Sequence, residues 1–397
     1  MFNRNVISLT IALSFAMTAP AITVLLGGVV GNVLAPDPKW ATLPVALMVI
    51  GGATTSFPAA HLMRLMGRKF GFILAAFIGI IAGLLAAYAI HRGVFTLFCV
   101  ASLLIGAQTA FVQQYRFAAA ESVALNKASN AISFMMLGGI VAAYLGPEVA
   151  TLLTQQFGEQ LYVGSFIGLS LLMSGAITAL FFYQNTASHC SLDERPAPAR
   201  KTGLIITQPL FITAITASAT GVGVMGFIMT VTPLSMHVHN GFSVADTASV
   251  IQSHIIAMYL PSLLSGHLVA RFGYYNMMIA GTFAMLSCIS IALWDVSFLH
   301  YWGALVLLGI GWNFLFISGT TALAHTHRDS EKYTAQAIND GTVFGFQALA
   351  ALSAGAILHA FDWQTIQWLC VPFLLMLLLW LVYQKQVTPL SSEVLVD

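Results

Sequence analysis

Few side chains in this sequence could do chemistry away from water, and most of them stand alone within long apolar runs. His254 is one: an imidazole titrates near neutral pH, so it could carry a proton or hydrogen-bond a bound solute. Trp312-Asn313 sets an aromatic ring beside an amide, a pairing suited to a planar or polar organic molecule. Gln108 and Gln347 are further isolated amides. Asp340, Phe344 and Gln347 recur at i, i+4 and i+7, one stripe of a helix, with Asp340 a second candidate for carrying a proton. Ser102, Gly106, Thr109, Gln113 and Arg116 form another polar stripe. Arg116 ends that stripe, where it could bind an anionic solute or pair with an acid such as Asp340.

Each residue also has a structural reading. A histidine can bond a neighbouring carbonyl, an amide can hold two helices together, and Asp340 beside Asn339 can cap a helix. Arg116 can anchor a span at its basic end. His237/His239 and His325/His327 have H-x-H spacing but fall on opposite sides of the membrane, so they build no shared metal site. No cofactor is implied.

The elements that would position these groups follow from composition. Of 397 residues, 58% are hydrophobic and 7% charged, against roughly 25% charged in a soluble domain. No soluble fold hides that much apolar surface, so the lipid bilayer is the solvent. The net charge of +1 implies no nucleic-acid partner. The four cysteines have neither disulfide nor metal-ligand spacing.

A span needs about 20 mostly apolar residues. Twelve segments qualify: 6–30, 41–62, 70–90, 94–116, 129–151, 161–183, 204–232, 247–267, 275–294, 301–322, 338–359 and 364–384. The first is too long for a signal-peptide core and reads as a span. His254 then lies about 10 Å deep in the eighth span, and Asn313, Gln347 and Gln108 lie near the midplane. With both termini on one side, that side collects 13 of the 15 basic residues and the other keeps Lys39 and Arg92. Twelve spans with cytoplasmic termini fit the positive-inside rule.

The chain also repeats itself. Thr55–Gly67 reads T-S-F-P-A-A-H-L-M-R-L-M-G, followed by Arg68 and Lys69; Pro261–Gly273 reads P-S-L-L-S-G-H-L-V-A-R-F-G. Each closes one apolar run and opens the next, a tight hairpin made once per half. The segments 127–132 and 333–338 extend the correspondence. The hairpin resembles the G-x-L-x-D-R-x-G-R-[RK] motif of the major facilitator superfamily. Leu62, Gly67, Arg68 and Lys69 match in one half, and Gly266, Leu268, Arg271 and Gly273 in the other.

That resemblance implies an all-α membrane protein of twelve transmembrane helices in two pseudo-symmetric six-helix bundles, 1–184 and 204–397, joined by a cytoplasmic linker at 185–203. It also makes the hairpin residues candidates for gating at the inner mouth, where Arg116 stands by its place at the end of its stripe. The motif's acidic position, a latch in the family, holds Arg64 in one half and Ala270 in the other, so other contacts must replace it. Gly146-Pro147 matches the end of the family's antiporter motif G-x-x-x-G-P, whose first glycine is Ala142 here. Tyr115–Glu121, Met229–Leu234 and Gly311–Leu315 are similar to strings in a bacterial group of largely unassigned substrate.

The expected function is secondary transport of a small organic solute across the inner membrane by alternating access in a monomer, coupled to protons through His254. Export is slightly favoured by Gly146-Pro147; uptake of a nutrient, vitamin or metal chelate is the alternative. No phosphate-binding G-x-x-x-x-G-K-[ST] loop is present for direct ATP drive, and no nucleophile, base or metal-ligand set converges as an enzyme requires. A sensor with a transporter fold would normally carry an appended soluble domain.

Overall fold

Residues that bury a backbone in hydrocarbon must satisfy every amide internally, which leaves the helix as the spanning element for a chain this apolar. The structure, a computed structural model, describes residues 3–123, 128–156, 161–185, 200–328 and 331–387. Residues 186–199 of the expected linker, including Asp193, Glu194 and Arg195, lie outside these ranges, as does Lys127.

Among the described residues, eleven helices are long and apolar enough to cross a membrane: Arg4–Leu34, Pro38–Met66, Arg68–Arg92, Phe95–Ala119, Phe134–Leu152, Val163–Phe181, Pro209–His239, Tyr274–Trp294, Phe298–Ala324, Ile338–Ala360 and Trp363–Val387. The twelfth is a pair, Val244–Tyr259 and Ser262–Phe272, bent by 42° at its break. In chain order they are spans 1 to 12, the bent pair being span 8. The face carrying the ends of spans 2 and 8 is the one that gathers the basic residues, and is called the basic face below.

The two hairpins are built alike. One glycine ends span 2 and starts span 3, and one glycine joins spans 8 and 9. Gly67 has φ 86° and ψ 153°, Gly273 φ 78° and ψ 153°. That corner of backbone space is essentially open to glycine alone. Each glycine amide returns to the preceding turn, Gly67 to Met63 at 2.9 Å and Gly273 to Val269 at 2.8 Å. The repeat read from sequence is thus a repeat of backbone geometry.

Two proline-linked breaks shape the interior. Span 1 is two helices, Arg4–Ala16 and Thr18–Leu34, with Pro20 placed so that it cannot donate to the Ala16 carbonyl. Gln108 of span 4 fills that need with its Nε2, 3.3 Å away. In span 8, Pro261 sits at the break, and Asn313 of span 10 donates from Nδ2 to the Met258 carbonyl at 2.7 Å. Asn313 also donates to Ser262 Oγ at 2.6 Å and accepts from Ser265 Oγ at 2.6 Å.

The halves meet away from the basic face. Gly355 of span 11 lies against Thr42 of span 2, and Gly28 of span 1 against Thr230 and Leu234 of span 7. Gln252 of span 8 donates to the Tyr144 carbonyl of span 5 at 3.1 Å. The Tyr162 hydroxyl lies 3.3 Å from His237 Nε2. Toward the basic face the situation reverses: a Cβ on Gly266, Gly341 or Gly345 would touch nothing within 4 Å. Asp340, Arg271 and Phe57 are exposed there. The two halves therefore enclose a vestibule that opens on the basic face and is closed on the opposite one.

Replacing Gly67 or Gly273 with alanine should cost about 1–3 kcal/mol each. This should appear as a lower melting temperature of the purified protein, whereas Gly203→Ala, in open space at ordinary φ, should leave it unchanged.

Candidate functional site

The vestibule is lined by spans whose polar residues are sparse, so each one's placement matters. From span 10, Trp312 stacks on Phe316 one turn below, with ring centroids 5.0 Å apart and planes 9° from parallel. Both rings are half-buried and pack against Ala219, Val222 and Val343, so the aromatic pair fills the groove between spans 7 and 11. The Trp312 indole N–H is enclosed and has no acceptor among the described residues. Gln347 of span 11 is half-buried beside Gly226 of span 7, where an added Cβ would come within 3.0 Å of its Cγ. Phe344 is half-buried on the same stripe and Asp340 is exposed at its end, hydrogen-bonded by the Asn339 amide at 3.1 Å.

From the other half, span 4 contributes Gln113, exposed, and Arg116, half-buried. Arg116 stacks over Phe117 with Cζ 4.8 Å from the ring centroid, and its Nε is enclosed with no partner among the described residues. Asp340 is near enough for its charge to act on Arg116, yet no ion pair joins them among the described residues.

Three expected site residues sit elsewhere. Gln108, His254 and Asn313 are buried, at 1%, 0% and 0% exposure. Both amides are spent on the helix breaks. The His254 Nδ1 lies 2.8 Å from the Leu305 carbonyl, and its Nε2 is enclosed without a partner among the described residues. His254 is therefore part of the packing between spans 8 and 10 and does not reach the vestibule. The stripe on span 4 divides for the same reason: Gly106 lies so close to span 2 that a Cβ would strike the Met48 carbonyl. Only Thr109, Gln113 and Arg116 emerge toward the basic face.

Phe316 and Tyr259 were not singled out by sequence. Phe316 had a signal, its four-residue offset from Trp312. Tyr259 had a weaker one, its place just before the Pro261 break.

The basic face is pinned by a few polar contacts. Arg68 grips Glu121 at the end of span 4 with two bonds, Nε to Oε2 at 2.8 Å and Nη2 to Oε1 at 2.5 Å. This ties span 3 to span 4 within one half, where the family's motif acid is replaced by Arg64, itself exposed. Lys69 donates to the Phe181 carbonyl at 2.9 Å. In the other half Arg200, where the chain leaves the linker, donates to both Glu331 oxygens and to the Thr326 carbonyl.

The profile of the Major Facilitator Superfamily matches residues 5–258 and 214–394. The chain belongs to the major facilitator superfamily. It is a secondary transporter and an integral membrane protein, as the family and the apolar helices together require. It is 37% identical to the riboflavin transporter RfnT of Brucella anthropi over 390 residues, covering 98% of each chain. It is 29% identical to an uncharacterized MFS-type transporter, YdeG of Bacillus subtilis, covering 90% of this chain and 85% of that one.

Among solved structures it is similar in fold to an inward-facing, unoccupied bacterial homologue of the human lysosomal transporter Spinster. The TM-score is 0.67 at 14% identity, covering 95% of this chain and 94% of that one. It also resembles the nucleoside transporter NupG, with a TM-score of 0.68 at 14% identity, covering 95% and 98%.

Two outcomes test these contacts. Asn313→Ala takes the amide partner from the Met258 carbonyl and the Ser262 hydroxyl, while Ser265 keeps the Pro261 carbonyl, and should cost about 1–3 kcal/mol. Its fall in melting temperature should exceed that of Gln108→Ala, whose amide holds one long bond to the break.

Glu331 gives a pH signature. Its hydrogen bonds from Arg200 hold the carboxyl well below the usual glutamate range. A lowered folded-state value means the contribution to stability is complete above the ordinary range and is lost on acidification below it. Glu331→Gln should therefore melt lower than wild type at pH 7, and the gap should narrow as pH falls below about 4.

Proposed function

We propose that this protein carries riboflavin, or a vitamin of the same planar heteroaromatic kind, inward across the bacterial inner membrane. The observation that supports this most directly is the half-buried Trp312–Phe316 stack beside the vestibule, whose indole N–H has no acceptor among the described residues. Planar rings gain about 1–3 kcal/mol from stacking on an aromatic side chain. Gln347 adds an amide on the neighbouring span. The likeness to RfnT over nearly the whole chain points the same way.

Few charges face the vestibule, which suits a neutral or weakly charged solute. The basic face is the cytoplasmic one by the positive-inside rule, which makes the present arrangement inward-open. Alternating access then needs the cytoplasmic ends of spans 2, 5, 8 and 11 to close while the opposite ends part.

Inward transport is favoured over export for a specific reason. Gly146-Pro147, the residues that suggested an antiporter, have a packing role: a Cβ on Gly146 would meet Ala21 and the Thr18 backbone of span 1 at 3.2 Å. Proton coupling through His254 is disfavoured by its enclosure between spans 8 and 10.

Expression in a riboflavin-requiring bacterium should restore growth at limiting riboflavin, and the purified protein should quench flavin fluorescence on binding. Trp312→Ala should weaken that binding roughly 5- to 150-fold. Normal growth rescue and affinity in the variant would remove the platform from the site, and absence of binding by wild type would remove the substrate. In proteoliposomes, His254→Gln should respond to an imposed proton gradient as wild type does.

A further inference from the structure

A small pocket lies at the head of the vestibule, between the halves. Its volume is about 30 Å³, room for about two waters. Arg116 and Gln113 of span 4 line it, with Met135, Met136 and Gly139 of span 5 and Tyr259 of span 8. All but Tyr259 belong to the first half. The Tyr259 ring reaches across and rests on Gly139, 3.7 Å from where a Cβ would stand.

Size and charge narrow what the pocket can take. It is far too small for a whole organic solute, so it admits one polar group at a solute's edge. Its lining contains no carboxylate. Arg116 carries five N–H donors in a rigid fork, and among the described residues its enclosed Nε has no partner and the nearby Asp340 makes no ion pair with it. Gln113 and the Tyr259 phenol add donors. The methionines supply adaptable, polarisable walls. The donor-only fork of Arg116 selects a hydrogen-bond acceptor for the group seated against it.

The pocket and the aromatic pair are linked through the backbone of spans 8 and 10. Tyr259 follows Met258, whose carbonyl is held by Asn313, and Asn313 follows Trp312. Neighbouring residues of span 10 thus serve both places, Asn313 holding the break beside Tyr259 and Trp312 forming the aromatic stack. We infer that Arg116, with Gln113 and Tyr259, is the specificity-determining site that receives the carbonyl edge of a planar heteroaromatic substrate. Its donors would bind one carbonyl oxygen of the imide edge of a flavin-type ring. Since Tyr259 comes from one half and Arg116 from the other, the same group touches both halves and its binding is felt by their relative position. This rests on the reading of the protein as a carrier of such solutes.

The test titrates purified protein, by flavin fluorescence, with riboflavin, with its N3-methyl derivative, whose imide edge is blocked, and with flavin mononucleotide. Arg116→Gln should weaken riboflavin binding roughly 10- to 100-fold and leave the N3-methyl compound within about twofold of wild type. Arg116→Lys should fall between, because a point charge lacks the fork. Trp312→Ala should weaken both neutral probes equally.

Equal loss of both neutral probes in Arg116→Gln, at unchanged melting temperature, would make Arg116 structural and overturn the assignment. So would a tenfold preference of wild type for the mononucleotide that Arg116→Gln abolishes, since the cation would then be reading phosphate. Wild type that binds no flavin would fail before any variant is compared, and would sink the substrate class and this site together.

Discussion

The architecture depends on a constraint peculiar to lipid: a backbone carbonyl released by a broken helix has no water to turn to. Spans 1 and 8 are both broken near mid-membrane, and each break is met by an amide from a neighbouring span. Gln108 reaches the Ala16 carbonyl and Asn313 reaches the Met258 carbonyl. The two amides hold equivalent places, each two residues beyond a glycine, Gly106 or Gly311, that brings its span tight against another. Once the breaks are fixed, so are Tyr259 on one side and Trp312 on the other. The vestibule's chemistry is in this sense set by buried residues that never face it.

The fold was legible because its signals are physical necessities of the bilayer. Apolar runs of span length, the segregation of basic residues and the duplicated hairpin each follow from lipid solvation or backbone geometry. Gly67 and Gly273 were readable as turns because no other residue tolerates that conformation. The site was much less legible. His254, Gln108 and Asn313 drew attention because polar side chains in a membrane are costly, and cost is all that sequence reveals. It does not say whether the cost is offset by a solute, a carbonyl or a helix break. All three turned out to be satisfied, or enclosed, by their own protein. Gln113 and Arg116 could be placed on one stripe, but only the close approach of spans 2 and 4 shows where that stripe stops being buried.

The missing acid of the hairpin motif shows how the basic face is held by local contacts. With Arg64 and Ala270 at the two acidic positions, neither hairpin can form the family's latch. What remains ties each half internally: Arg68 to Glu121 in the first, Arg200 to Glu331 in the second. The first pair is partly exposed and so contributes little to stability. The Glu331 side chain is fully enclosed and satisfied by several donors, a better-fixed anchor for the chain as it enters span 7. Neither pair joins the two halves, so neither must break for the basic face to open or close.

That leaves the closing of the basic face to groups that also face the vestibule. Arg116 and Asp340 stand on opposite halves, near enough to feel each other but unpaired among the described residues in the open arrangement. Drawing the halves together would shorten that separation in a medium with little water, where the attraction grows as the dielectric falls. The same movement would desolvate both charges, a cost that cancels much of the gain unless further hydrogen bonds form. A solute carbonyl on Arg116 supplies such a bond without adding charge. On this argument, an empty site closes reluctantly on its basic side and a filled one closes more readily. A carrier that must not leak when empty, yet must turn over when loaded, needs that ordering.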